Sequence, residues 1–173
     1  MVPVVCTHAR HASAILAIFN DAIANSTALY DYHARTPENM ISWFQAKAER
    51  NFPVIGIEDE HGQLLGFASY AGFRPHAAYK YTIEHSVYVQ RDQRRKGVAL
   101  ALMTQLIELA RQQDYHVMIG AIDADNRASI ALHEALGFTY TGTIRQAGFN
   151  FGRWVDLSFM QRVLDTPGAP VDG

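Results

Sequence analysis

Arg91, Arg94, Arg95 and Lys96 crowd a polar turn directly before Gly97, and Ala99, Leu102, Met103, Leu106, Ile107 and Ala110 then repeat at helical spacing. The first turn of a helix carries amides without intrahelical partners and the positive end of the macrodipole, so such a junction can hold a phosphate. In Arg94-x-x-Gly97-x-Ala99, the glycine and the small alanine would let backbone approach a pyrophosphate closely. The segment is neither a Gly-x4-Gly-Lys loop nor a three-glycine dinucleotide fingerprint. Its bland alternative is a solvated basic face.

Three further side chains could do chemistry. Glu84 sits where a strand is expected, an unusual place for a carboxylate unless it is paired or faces a wet cleft. At an ordinary pKa near ~4.3 it is a weak base, and burial would strengthen it. His133, titrating near ~6.5, can give or take a proton, although a lone helical histidine also serves as a packing residue. Asn126 both donates and accepts, which suits a ligand amide or a helix N-cap equally.

Period-two alternation over Tyr81–Val89 predicts a strand with Ile83, His85 and Val87 on one face and Thr82, Glu84, Ser86 and Tyr88 on the other. The apolar run His116–Ile122 predicts a second strand, buried on both faces, parallel to the first through a right-handed helical crossover. If the two splay where the basic turn and the Asp123–Asn126 loop begin, the gap can admit an extended ligand arm against the backbone of Val87 to Val89. Around this pair the pattern places a strand at Val2–Cys6, a helix over about His11–Ala24, and a helix opened by Thr36-Pro37-Glu38 that ends near Asn51. It continues with a hairpin of Pro53–Glu58 and Leu64–Tyr70, and a polar loop Gly72–Lys80. A short helix Ser129–Leu136 closed by Gly137 and a second hairpin, Phe138–Arg145 with Trp154–Val163, complete the chain. The fold class is α/β (α+β), a mixed central β-sheet flanked by helices.

A chain of 173 residues, 49% hydrophobic and 18% charged, fits one domain over 1–164, with 165–173, rich in Pro and Gly, expected to be a disordered tail. The net charge of −2 argues against general nucleic-acid binding and makes the basic turn a local feature. No stretch has the ~20 apolar residues of a membrane span, and no signal peptide pattern opens the sequence, so no membrane partner is expected and the cytoplasm is the default. Cys6 is the single cysteine, which fits a reducing compartment. The eight histidines are scattered without zinc spacing, so no metal is expected.

With the turn, Asn126 and Gly137-Phe138 in this order, the chain resembles the acetyl-CoA-binding half of the GNAT superfamily of N-acyltransferases. Thr82-Ile83-Glu84-His85-Ser86-Val87-Tyr88-Val89, Leu132-His133-Glu134-Ala135-Leu136-Gly137-Phe138 and Phe151-Gly152-Arg153-Trp154 are similar to the phosphinothricin and methionine sulfoximine/sulfone N-acetyltransferases. The likeness runs to about Leu164. It implies a GNAT acyl-CoA N-acyltransferase fold, acetyl-CoA as cosubstrate, a small-molecule amine acceptor and a homodimer formed through the C-terminal hairpin region. It further implies Glu84 as general base, with His133 as acid or as the partner of Glu84. Coenzyme contacts are implied at Val87, Tyr88, Val89, Arg94, Arg95, Lys96, Gly97, Val98, Ala99, Leu100 and Asn126. Acceptor contacts are implied at Tyr30, Arg74, Pro75, His76, Lys80, His85 and Ser86, with Arg74 and Lys80 suited to an α-carboxylate. Phe73 stands where a tryptophan is usual, Ala77-Ala78-Tyr79-Lys80 looks more like the phosphinothricin branch, and Asn150 replaces a common lysine. These departures leave acetyl transfer intact and keep other acceptors open, among them a polyamine, an aminoglycoside or a peptide N-terminus, as well as a non-catalytic acetyl-CoA sensor.

Overall fold

The computed structural model describes residues 1–172. Among the described residues, seven strands form one mixed sheet in the order β1-β2-β3-β4-β5-β7-β6. They are β1 Val2–Val5, β2 Val54–Glu58, β3 Leu64–Gly72, β4 Thr82–Val89, β5 Val117–Asp123, β6 Thr139–Asn150 and β7 Arg153–Val163. The helices are α1 His8–Asn25, α2 Pro37–Glu49, α3 Val98–Gln112 and α4 Arg127–Ala135. The described residues pack as two units, one of Met1–Tyr70 with Ser86–Leu106 and one of Ala71–His85 with the chain from Ile107 onward.

In the first unit, β1, β2 and β3 pair antiparallel. α1 buries Ile15, Ile18, Phe19, Ala22 and Ile23, residues spaced to share one helical face. It begins three residues earlier than its apolar spacing predicts, because the buried His11 ring accepts the Thr7 amide at Nδ1, 2.9 Å away, and so caps the added turn. The same ring donates from Nε2 to Glu58, 3.1 Å away, and Arg10 also bonds that buried carboxylate. α2 starts where Thr36-Pro37 predicts, with Asn39 completing a reciprocal cap. Phe67 is fully buried at the centre of this unit, 4.9 Å from Phe19, 5.5 Å from Tyr88 and 6.1 Å from Trp43, in edge-on or tilted aromatic contacts.

In the second unit, β4 and β5 run parallel with the register Thr82↔Val117, Ile83↔Met118 and Glu84↔Ile119. β5 is antiparallel to β7 from Val117↔Val163 to Asp123↔Leu157. Val117, Ile119 and Ala121 of β5 are only half-buried, so this strand alternates more than its apolar run suggests. β6 continues to Asn150, past Arg145, because irregularities between Tyr140 and Gly142 and between Ile144 and Gly148 let a polar, glycine-containing stretch stay paired with β7. Gln146, at φ +54°, donates its amide to Asp156 across the second of them. Of the expected tail 165–173, Gly173 lies outside the described residues. Asp165 pairs with Arg111 at 3.0 Å, Thr166 bonds Tyr115 and His116, and Val171 bonds the Tyr81 hydroxyl.

Phe67→Ala would remove the ring against which Phe19, Trp43 and Tyr88 pack. We expect a loss of about 3–5 kcal/mol in a denaturant titration, a large part of a typical domain's stability. A loss below about 1 kcal/mol would mean that the aromatic cluster does not organise this unit.

Candidate active site

The basic turn is a surface feature built by backbone. Gln90 anchors its start to β3, its amide donating to Leu65 O at 2.9 Å and its side chain to Leu64 O at 2.6 Å. A single 3-10 turn, Arg91–Gln93, follows, and then Arg95 and Gly97 adopt left-handed conformations at φ +61° and +83°. A β-carbon at Gly97 would meet nothing within 4 Å, so this glycine is there for its φ and not for space. Such reversals turn successive amides toward one side, and they lead straight into the first turn of α3, where Val98, Ala99 and Leu100 have no preceding helical carbonyl to bond. Arg94, Arg95, Lys96, Gly97 and Leu100 are exposed and Val98 is buried. Arg91 and Arg94 lean on Asp21 of α1 at 2.7 and 4.0 Å. The half-buried ring of Tyr88 packs on Phe19 and Phe67.

Glu84 is half-buried in the middle of β4, at the last register pair of the parallel ladder with β5. No hydrogen bond or ion pair to its carboxylate is present among the described residues. Desolvation pushes its pKa above the ordinary 4.5, the direction a general base needs.

His85 faces the opposite side of β4 and is buried. Its Nε2 lies 2.8 Å from Nε2 of His133, and the two rings stack at 4.9 Å with the Phe138 ring edge-on to both. His133, on α4, donates from Nδ1 to Ser129 O at 2.6 Å. In the neutral ring that leaves Nε2 as acceptor, so His85 must donate from Nε2, and its Nδ1 is a buried acceptor without a partner. Burial holds the pKa of both rings down, that of His85 to about 3 with His133 adding repulsion.

The sequence points His133 at the reacting groups or at Glu84. The structure brings it to His85 instead, with both its nitrogens engaged and on the face of β4 away from Glu84. His85, expected at the acceptor, likewise has its donor engaged by His133 and its other nitrogen enclosed, which leaves only its backbone for an acceptor. Asn126 caps α4, its Oδ1 accepting the Ser129 amide at 3.1 Å. The cap uses the oxygen, and the NH2 group can still donate elsewhere.

Arg74, Pro75, His76 and Lys80 are exposed on the loop before β4, and Ser86 is exposed on the strand. The Arg74 guanidinium lies 5.3 Å from the Phe73 ring, and the Lys80 ammonium 5.0 Å from that of Tyr81. Phe73 donates its amide to Thr82 O, which ties the loop to the start of β4. Tyr30 is partly exposed in the segment joining α1 and α2. Sequence reading gives no role to Arg153, which reaches Asp123 and Asp125 at 3.4 Å each, because a surface arginine on a hairpin carries no spacing signal. It also gives none to Gly120, although a glycine inside an apolar strand is a known mark of close approach.

The unfolded chain protonates its histidines below about 6.5, while folded His85 stays neutral down to about 3. The stability linked to this burial is therefore complete above 6.5 and is lost as pH falls toward 3. Thermal unfolding should register a loss on the order of 2 kcal/mol between pH 7 and pH 5. His85→Gln should flatten that slope, and equal slopes in the two proteins would place its origin elsewhere.

Residues 16–138 match the model of the acetyltransferase (GNAT) family. The chain is 48% identical over 157 residues to the L-methionine sulfoximine/L-methionine sulfone acetyltransferase of Pseudomonas paraeruginosa, covering 90% of this chain and 91% of that protein. It is 32% identical over 169 residues to the phosphinothricin N-acetyltransferase of Alcaligenes faecalis, covering 91% and 85%. Among solved structures it resembles a GNAT superfamily phosphinothricin acetyltransferase from Sinorhizobium meliloti in complex with acetyl-CoA, with a TM-score of 0.93, 30% identity, and coverage of 98% of this chain and 91% of that one. The exposed anion-ready turn, the unpartnered carboxylate of β4 and these likenesses agree, and the chain belongs to the GNAT family of acetyltransferases.

Proposed function

We propose that this acetyltransferase moves the acetyl group of acetyl-CoA to the α-amine of a small amino-acid-like acceptor of the methionine sulfoximine, methionine sulfone or phosphinothricin type. The amine attacks the thioester carbonyl directly, the amide bond forms as the carbon–sulfur bond breaks, and the thiolate leaves, all within one ternary complex. The observation that carries this reading is Glu84, a half-buried, partnerless carboxylate with a raised pKa. It takes the proton that the amine must lose, directly or through one water.

The amides from Arg95 to Leu100 receive the pyrophosphate, and the left-handed Arg95 and Gly97 support this by turning them outward. Arg94, Arg95 and Lys96 add charge. β4 beyond Glu84 lies past the end of the parallel ladder, so backbone from Val87 to Val89 is suited to the amides of the pantetheine arm. The Asn126 NH2 group is a further donor to that arm. Arg74 and Lys80 suit the acceptor carboxylate, and Pro75, His76, Ser86 and Tyr30 are the further residues we assign to the acceptor. A polycationic acceptor would meet two cations there, which disfavours it.

The exposed Tyr140, Ile144, Phe149, Phe151 and Trp154 on β6, β7 and their turn form the surface we assign to a homodimer. No helix among the described residues is long and apolar enough to cross a membrane. The free, buried Cys6 fits work in a reducing cytoplasm.

A thiol-release screen with methionine sulfoximine, methionine sulfone, phosphinothricin, the ordinary amino acids and spermidine should give turnover with the first group and little with spermidine. Coenzyme binding without turnover on any amine would leave a sensor. Glu84→Gln should lower kcat about 10²–10⁴-fold with acetyl-CoA affinity kept. In the wild type, the acid limb of kcat/KM should report a pKa above 4.5, with activity lost as pH falls through it. Gly97→Ala, strained at φ +83° but free of clashes, should weaken acetyl-CoA binding in calorimetry with kcat at saturation little changed.

A further inference from the structure

We propose that Gly120 is a positioning residue: by presenting no β-carbon on β5 it lets the His85 and His133 rings close on each other, and the closed pair fixes β4 where that strand presents Glu84. The proposal rests on Glu84 acting as the base, and its test separates the two.

A β-carbon built at Gly120 would lie 2.9 Å from Nε2 of His85, 2.9 Å from Nε2 of His133 and 3.1 Å from Cδ2 of His133. Those two nitrogens are the ones that share the proton, so even a methyl group falls on the hydrogen bond itself. Gly120 is not in the left-handed region, so its role is one of space, and alanine there brings a clash without backbone strain. Gly120 is also next to Ile119, the register partner of Glu84, while His85 is next to Glu84 on its own strand. The pair thus grips β4 one residue beyond the last rung of the ladder.

Three elements hold that grip. α4 supplies His133, whose Nδ1–H is fixed on Ser129 O. β4 supplies His85, and β5 supplies the gap. Phe138 closes the side. Each imidazole is the titratable group that faces the other, Phe138 and Gly120 bring no charge, and Glu84 projects from the other face of the strand. With the proton order Ser129 O, His133 Nδ1–H, His133 Nε2, His85 Nε2–H, neither ring can turn over without breaking a bond. An ordered clamp of this kind holds the strand to within the tolerance that proton transfer at Glu84 requires.

The test uses the full chain and three variants, Gly120→Ala, His133→Ala and the double substitution, with long-range nitrogen NMR of the imidazoles beside kinetics. In the wild type, His133 should appear as the Nδ1–H tautomer and His85 as the Nε2–H tautomer, unchanged from pH 7 to pH 5. Gly120→Ala should erase that pattern and lower kcat about 10- to 100-fold, with the KM for acetyl-CoA held within about twofold. His133→Ala empties the space the methyl group needs, so the double variant should be no slower than the worse single one. An ordinary titration of His85 in the wild type would overturn the proposal without any variant. So would wild-type kcat in Gly120→Ala once the tautomer pattern is gone, or additive losses in the double variant. If Glu84→Gln instead kept full kcat while the pattern and the coupling stood, the base assignment would fail and the clamp would remain.

Discussion

Everything at the candidate site hangs on how β4 is held. Only three of its residues share a register with β5, and the ladder ends at the residue that carries the partnerless carboxylate. A strand paired along its whole length would have no backbone to offer a ligand, and an unpaired one would not hold a base steady. β4 combines the two on its β5 side, where the register runs as far as Glu84 and is not continued beyond it. Alternation then does the rest: one face carries Glu84, and the other carries the imidazole clamp.

Much of this is legible in the residues. The period-two run of β4, the turn-to-helix junction at Gly97 and the Thr36-Pro37 helix start each have a local cause, and local causes leave local patterns. Glu84 stands out because a lone acid inside an alternating strand is an anomaly in its own right. What the residues hide is partnership at a distance. His85 and His133 are 48 positions apart, and nothing in either neighbourhood says that their rings meet over a glycine on a third element. His133 therefore reads as a group aimed at the reaction, whereas the fold aims it at another histidine.

Boundaries shift for similar reasons. α1 gains its first turn from a buried histidine that caps it, and β6 gains five residues from irregular pairing, neither of which shows in hydrophobic spacing. Asn126 shows the reverse case, where the local pattern allows two roles and the structure fills one of them with half of the amide.

Asp21 gives the basic turn a property of its own. It engages Arg91 closely and Arg94 loosely, in an exposed pair of the kind whose net worth is about 0–1 kcal/mol. The carboxylate on α1 thus holds the two guanidiniums extended and in place, and an exposed pair of this kind gives them up at little energetic loss. Were the turn to take the pyrophosphate as proposed above, these two side chains would be ordered before it arrives, and less freedom would be lost on binding.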